Sequence, residues 1–254
     1  MNEVLLITGC VNPNKDAIFL TVRDSNQRLN QYLETIKWAL TNTNFGTVVF
    51  CENSKCDYDF MGYARKISQN KTFEYITFQG NTKNSNILGK GYGEGEIIEY
   101  AYNNSSFLKN TKYFWKITGR LTVKNINRLL KKSKQKNYFL NSLDINEALD
   151  TKLYKISTSD YKKYLMNSYK KVNDKVNIPI EKIYFEQIKQ NRIKYYCFRR
   201  YPIIRGISGS TGIQYRVSGV KRNLYNILCL LNLYNIKFIY HMYQFINKIK
   251  KQII

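Results

Sequence analysis

The sequence predicts an α/β fold, a Rossmann-like, mainly parallel mixed sheet flanked by helices with a basic helical extension at the C-terminus. Three observations carry that prediction. Two short, continuous apolar runs, Val4-Leu5-Leu6-Ile7 and Val48-Val49-Phe50-Cys51, read as central strands covered on both faces. Stretches with helical spacing of apolar residues separate the β-prone segments, and such alternation builds crossover units and a parallel sheet. Glycines stand where β-prone runs close, at Gly9 and Gly119.

Taken in order, Val4 to Gly9 is the first predicted strand. Asn26 to Leu40 follows as a helix, with Leu29, Leu33, Ile36, Trp38 and Leu40 as its apolar positions. Thr47 to Cys51 is the second strand and ends at Glu52-Asn53; Phe73 to Phe78 suggests a third. Leu88 to Asn125 organises the rest. There Gly89, Gly91, Gly93 and Gly95 alternate with Lys90, Tyr92 and Glu94, which predicts a glycine-rich turn whose bare backbone can approach a ligand. Glu96 to Leu108 carries Ile97, Ile98, Ala101 and Phe107-Leu108 as a helix, and Tyr113 to Ile117 is a strand that runs on into Thr118-Gly119-Arg120. Ligands of open α/β sheets bind at the carboxyl ends of the strands, with anions favoured beside helix N-termini. Thr8-Gly9, Glu52-Asn53 and Thr118-Gly119-Arg120 are expected at that edge.

The second half is less regular. Ile126 to Lys136, Asp160 to Val172 and Ile180 to Ile193 read as helices, Tyr195 to Arg200 as a basic strand, and Arg205 to Gly212 as a loop containing Ser208, Ser210 and Thr211. From Lys221 onward, Leu224, Ile227, Leu231, Phe238, Met242, Phe245 and Ile249 fall near one helical face. Asparagines and lysines interrupt the stretch, so it is not a transmembrane span. It predicts one or two basic amphipathic helices, suited to an anionic membrane surface or to a second subunit in a homodimer. The chain is therefore divided into a sheet domain, 1–216, and a basic helical tail, 217–254.

The formal charge of +23 implies an anionic partner, although a Lys-, Asn-, Ile- and Tyr-rich composition accounts for part of it. Its distribution is more telling. The 68 residues after Glu186 contain no Asp or Glu but thirteen Lys and Arg. Five scattered cysteines, Cys10, Cys51, Cys56, Cys197 and Cys229, and an N-terminus that leads straight into a strand suggest free thiols in a reducing cytosol. The one histidine, His241, excludes most histidine-dependent triads and metal sites. A general base must then be a carboxylate, with Asp144, Glu147, Asp150, Glu181 and Glu186 as the candidates.

The segments Lys-Gly-Tyr-Gly-Glu-Gly-Glu (90–96), Trp-Lys-Ile-Thr-Gly-Arg (115–120) and Arg-Gly-Ile-Ser-Gly-Ser-Thr-Gly (205–212), with the order of elements, resemble inverting GT-A-type glycosyltransferases of bacterial capsule and lipopolysaccharide biosynthesis. The similarity spans about residues 3–216. Where that family usually carries Asp-x-Asp this chain has Thr118-Gly119-Arg120; a literal Asp57-Tyr58-Asp59 lies too early. The resemblance implies Thr8 and Gly9 beneath a nucleotide, Glu52 or Asn53 near its base or ribose, and Lys90, Tyr92, Glu94, Thr118 and Gly119 around the donor. By their own chemistry Ser208, Ser210 and Thr211 could hold sugar hydroxyls or a phosphate, or equally serve as plain turn residues. Glu186, within Ile183 to Gln187, would be the base. Arg120, helped by Lys90 or Arg205, would replace a metal, so a divalent metal is possible but not expected and no other cofactor is called for. The implied partners are a nucleotide-sugar donor, a lipid-linked glycan acceptor and the inner face of a cell membrane, where a cytoplasmic, peripheral enzyme would work. Two rival readings stand: a nucleic-acid-binding protein, which the charge and 22 tyrosines favour but no recognisable module supports, and a sugar nucleotidyltransferase.

Overall fold

A computed structural model describes residues 3–14, 21–68, 70–209 and 212–252 of the chain. The elements begin β1 (Val4–Gly9), α1 (Ser25–Thr41), β2 (Thr47–Glu52), α2 (Phe60–Ile67), β3 (Thr72–Thr77), α3 (Thr82–Leu88), α4 (Lys90–Asn104), α5 (Ser106–Asn110) and β4 (Tyr113–Thr118). They continue with β5 (Leu121–Val123), α6 (Ile126–Lys132), β6 (Asn137–Tyr138), β7 (Leu153–Ser157) and the single turn α7 (Thr158–Asp160). After further short turns come α8 (Ile180–Gln190), β8 (Tyr195–Tyr196), β9 (Ile204–Gly206), α9 (Gly219–Leu230) and α10 (Lys237–Gln252).

Seven strands form one sheet in the order β3-β2-β1-β4-β7-β6-β8. The run β3-β2-β1-β4 is parallel, β7 is antiparallel to both β4 and β6, and β8 is parallel to β6. This is the mixed, mainly parallel sheet that the sequence predicts. Its continuous apolar runs have a simple cause: the pleat sends alternate residues to opposite faces, and both faces are covered. Leu5, Ile7, Val48 and Phe50 pack with α1 and α2, whereas Val4, Leu6, Val49 and Cys51 pack with α4 and α8.

Local chemistry sets the helix starts. The Asp24 carboxylate accepts from the Gln27 N–H at 2.6 Å and caps α1. Asp59 accepts from Gly62 N–H at 2.7 Å and caps α2, so the Asp57-Tyr58-Asp59 run serves a helix end.

The glycine-rich stretch departs from expectation, because it forms the first two turns of α4. Glycine costs about 1 kcal/mol in a helix interior relative to alanine, and packing offsets that cost here. Gly89, at φ +108°, begins the helix in a conformation that favours glycine. A Cβ at Gly95 would overlap Tyr169, and one at Gly91 would lie 3.2 Å from Ile180 N. Three other expectations are also corrected. The segment 160–172 is a succession of short turns, the basic strand shrinks to Tyr195–Tyr196, and the predicted loop begins as β9, which pairs antiparallel with β5.

The basic C-terminal extension is two helices. They join the α1-side core through Tyr225, Cys229 and Tyr234, and their connecting turn is tied to the segment after β6. Asn235 donates to Phe139 O at 2.9 Å and accepts from Asn141 N–H at 2.8 Å. Among the described residues no helix is long and apolar enough to cross a membrane. All five cysteines are free thiols, four of them buried.

Candidate active site

One cleft of about 370 Å³ opens at the carboxyl edge of the parallel strands, within the usual size of a small-molecule site. Register explains why residues distant in sequence meet there. Thr8 pairs with Cys51 on one side and with Thr118 on the other, so the chain leaves β1, β2 and β4 at one level. Thr8, Gly9, Asn53, Thr118 and Arg120 line the floor and near wall. The β4 turn crosses β1 so closely that a Cβ at Gly119 would overlap Thr8 O. That approach places Arg120 at the cleft.

Two guanidinium groups share this wall. Arg120, partly buried, donates from Nη1 to Gln31 Oε1 at 2.9 Å. Burial lowers its proton affinity, the Tyr32 phenol works against that, and the neighbouring Arg28 charge lowers it further. Arg28 is 4% exposed. It donates to Cys10 O at 2.8 Å, Val22 O at 3.0 Å and Tyr32 Oη at 3.3 Å. Its partners are neutral oxygens. Among the described residues neither arginine has a carboxylate within ion-pairing distance. A buried cation without a counter-ion is costly, and two beside one cleft make a site for an anion. Sequence reasoning missed Arg28, although it begins the buried stripe Arg28, Tyr32, Thr35, Ile36 and Ala39 of α1.

The opposite wall comes from α4, the segment before β7, and the start of α8. Lys90, Gly93, Glu94 and Ile97 of α4 face the cleft, following helical spacing. Glu94 is the counter-ion of Lys116, a fully buried side chain of β4 that also donates to Thr118 Oγ1 and Thr151 O, both at 3.0 Å. Lys152 pairs with Asp150 at 2.8 Å; burial opposes its charge, but Asp150 holds its ammonium above the ordinary range. Glu181, the second residue of α8, accepts from Thr151 Oγ1 at 3.2 Å and lines the cleft. Burial pushes its carboxyl up, and the nearby Glu94 charge adds to the shift. A carboxyl so placed, bordering the cleft and holding its proton more tightly than usual, suits proton transfer.

Other expected site residues lie elsewhere. Glu186 is exposed on the outer face of α8 and does not line the cleft, because Ile180, Ile183, Tyr184 and Ile188 fix the inward face. Glu52 is buried, accepting from Ser54 N–H at 2.8 Å, Cys56 N–H at 2.9 Å, Tyr75 Oη at 3.2 Å and Thr77. Ser54 in turn accepts from Val11 and Asn12 N–H at 3.1 and 3.0 Å, so Glu52 shapes the cleft from behind. Tyr92 is turned into the core, with its ring centroid 5.1 Å from that of Tyr169 and its hydroxyl accepting from Asn84 at 3.1 Å. Arg205 is exposed on β9, outside the cleft lining. Ser208 is buried in the following loop, where its backbone bonds Ile213 and Gly212, and its neighbour Gly209 reaches the cleft. Ser210 lies outside the described residues.

Arg120 follows the end of β4, and among the described residues no group of three His, Cys, Asp or Glu side chains gathers as metal ligands.

No family model matches the sequence, and no curated protein does. Among solved structures the chain is similar to an inositol-1-phosphate CTP transferase from T. maritima, at 12% identity over 90% of this chain and 96% of that one, with TM-score 0.47. It is similar to core-mannan synthase A from Aspergillus fumigatus in its Mn/GDP form, at 10% identity over 87% and 80%, with TM-score 0.48. Mouse xyloside xylosyltransferase 1 in its apo form matches at 7% identity over 77% and 84%, with TM-score 0.39. At these scores the activity has to be argued from the cleft itself.

Proposed function

We propose that this chain is a glycosyltransferase that takes a sugar from a nucleotide-sugar donor. The observation that carries the reading is a pair of guanidinium groups, Arg28 and Arg120, at the carboxyl edge of the sheet, with no carboxylate paired to either among the described residues. A nucleoside diphosphate gains negative charge as its bond to the sugar breaks, and preorganised cations in a partly dry site stabilise that charge. Arg120 faces the departing diphosphate; Arg28, fixed by three neutral acceptors, sets the field behind it. Glu181 is the group we assign as base in place of Glu186. In a single displacement the acceptor hydroxyl oxygen bonds to the anomeric carbon and its proton passes to the Glu181 carboxylate. The bond from that carbon to the diphosphate oxygen breaks, and the electron pair leaves with the nucleoside diphosphate. The resemblance to capsule and lipopolysaccharide enzymes supplies the rest of the reading, a lipid-linked glycan acceptor in surface polysaccharide synthesis.

A thermal-shift panel of UDP-, GDP-, CMP- and dTDP-sugars, each with and without EDTA, tests the donor. We expect one of the UDP-, GDP- and dTDP-sugars to raise Tm in both conditions, and sugar transfer with that donor to release the nucleoside diphosphate; CMP-sugars, which would release a monophosphate, should give no shift. No shift with any donor, together with pyrophosphate release from a nucleoside triphosphate and a sugar 1-phosphate, would replace glycosyl by nucleotidyl transfer.

A further inference from the structure

The α9–α10 hairpin carries an apolar surface that no described residue covers, and we propose that it docks on an anionic lipid bilayer. Val220, Leu224, Ile227 and Leu231 are 83%, 43%, 55% and 60% exposed. Their spacing of four, three and four residues puts them on one stripe of α9, opposite Tyr225 and Cys229, which face the core. On α10, Phe238 and Phe245 are 68% and 65% exposed and lie seven residues apart, again on one face. Exposed aliphatic and aromatic side chains aligned along a helix face in this way mark a surface made for a partner.

Charge identifies the partner. The hairpin belongs to the 68 residues after Glu186 that hold thirteen Lys and Arg and no acid. Each such cation near an anionic leaflet strengthens binding by about fivefold, and the apolar stripes supply the insertion that pure charge attraction lacks. A second copy of the chain would set two cationic, acid-free faces against each other. A nucleic acid would engage the cations and leave the stripe wet. Neither helix can span a bilayer, so the hairpin lies in the interface.

Docking there also orients the cleft. Besides the Asn235 contacts, Gln244 on α10 donates to Leu143 O at 2.6 Å. The same segment contributes Ser142, Asp144 and Ile145 to the cleft rim. The hairpin and the cleft therefore share this segment, which would keep the cleft near a bilayer that carries the substrate. This last point rests on the proposed transfer reaction; the docking does not.

The test is co-sedimentation of the full chain with vesicles of phosphatidylcholine alone and of phosphatidylcholine with equal phosphatidylglycerol. Binding is expected only to the anionic vesicles, weakening with salt. The double variants Ile227→Asn/Leu231→Asn and Phe238→Ser/Phe245→Ser should each lower the partition by about tenfold or more, from lost apolar burial. Both change exposed side chains, so their Tm and their response to nucleotide-sugars should match the parent's. The proposal is overturned if anionic vesicles are not bound, or if both double variants bind as well as the parent, which leaves only general adsorption of a cationic chain. It is overturned equally if the parent is a dimer that these variants convert to monomer.

Discussion

Replacing Arg120 by methionine separates a ligand-binding arginine from a structural one. The side chain is held between α1, through Gln31, and the loop at Gly209, where a Cβ would lie 2.6 Å from Nη2. Methionine fills much of that space, and among the described residues no carboxylate loses a partner. Folding stability should therefore stay near the parent's, whereas loss of one member of a buried ion pair would cost about 3–5 kcal/mol. Nucleotide binding should change strongly. A hydrogen bond to a charged group contributes about 1.5–3 kcal/mol, and each 1.4 kcal/mol is about tenfold in affinity. The dissociation constant for the nucleoside diphosphate should rise by about 10- to 150-fold. Because the diphosphate charge grows as the sugar leaves, kcat should fall by about 10²–10³, the usual effect of removing one such donor. Arg120→Lys keeps the charge but not the planar fork, and should fall in between. Calorimetric titration with the nucleoside diphosphate, steady-state transfer rates and a melting curve on the same preparation give all three readings. A methionine variant with parental affinity and parental kcat would refute the reasoning, and so would one that binds poorly because it melts early.

Glu181→Gln should abolish transfer while Glu186→Gln leaves it intact, read as steady-state rate with the same donor and acceptor. The acid limb of kcat/KM should lie above 4.5, the ordinary value for this carboxyl, because a base whose pKa is raised stays protonated to higher pH. The same sign governs stability: the folded state holds this proton more tightly than the unfolded chain, so stability falls as pH rises through that window. Glu181→Gln should therefore melt higher than the parent at neutral pH. Gly95→Ala should lower stability by about 1–3 kcal/mol, since its Cβ would overlap Tyr169. Gly93→Ala, where the nearest atom is Asn53 Nδ2 at 3.7 Å, should raise it by as much as about 1 kcal/mol; urea unfolding of the two variants checks the contrast.

The framework was legible where periodicity decides it. β1, β2 and α1 stand where the apolar pattern puts them, and the carboxyl edge of the sheet did gather Thr8, Gly9, Asn53, Thr118 and Arg120. The glycine segment was misread because its reason is nonlocal: Tyr169 and Asp174, far along the chain, need the room that Gly95 and Gly89 leave. Glu186 lies off the cleft for a different reason. Helical phase alone separates the two carboxylates, since Glu181 flanks the apolar stripe of Ile180, Tyr184 and Ile188 whereas Glu186 sits across the helix from it. Glu52 shows the limit of reading strand ends as ligand contacts. It stands at the carboxyl end of β2, but its neighbours Ser54, Cys56, Tyr75 and Thr77 claim its oxygens.

Those claims on Glu52 point to what sets the arginines apart. The charged side chains buried in the described residues are Arg28, Glu52, Lys116 and Lys155. Lys116 has Glu94, and Lys155 has Glu3 at 2.8 Å. Glu52 has no cation, but its oxygens are covered by donors and it does not border the cleft. Arg28 alone among them borders the cleft with no opposite charge paired to it among the described residues, with Arg120 beside it in the same condition. A fold that needed only rigidity there would gain more from an apolar side chain, since a buried cation must be held against its own desolvation. Keeping two in place lowers stability in the free protein and lowers the energy of whatever anion enters. On the proposed reading the charge is half of an ion pair whose other half is the substrate.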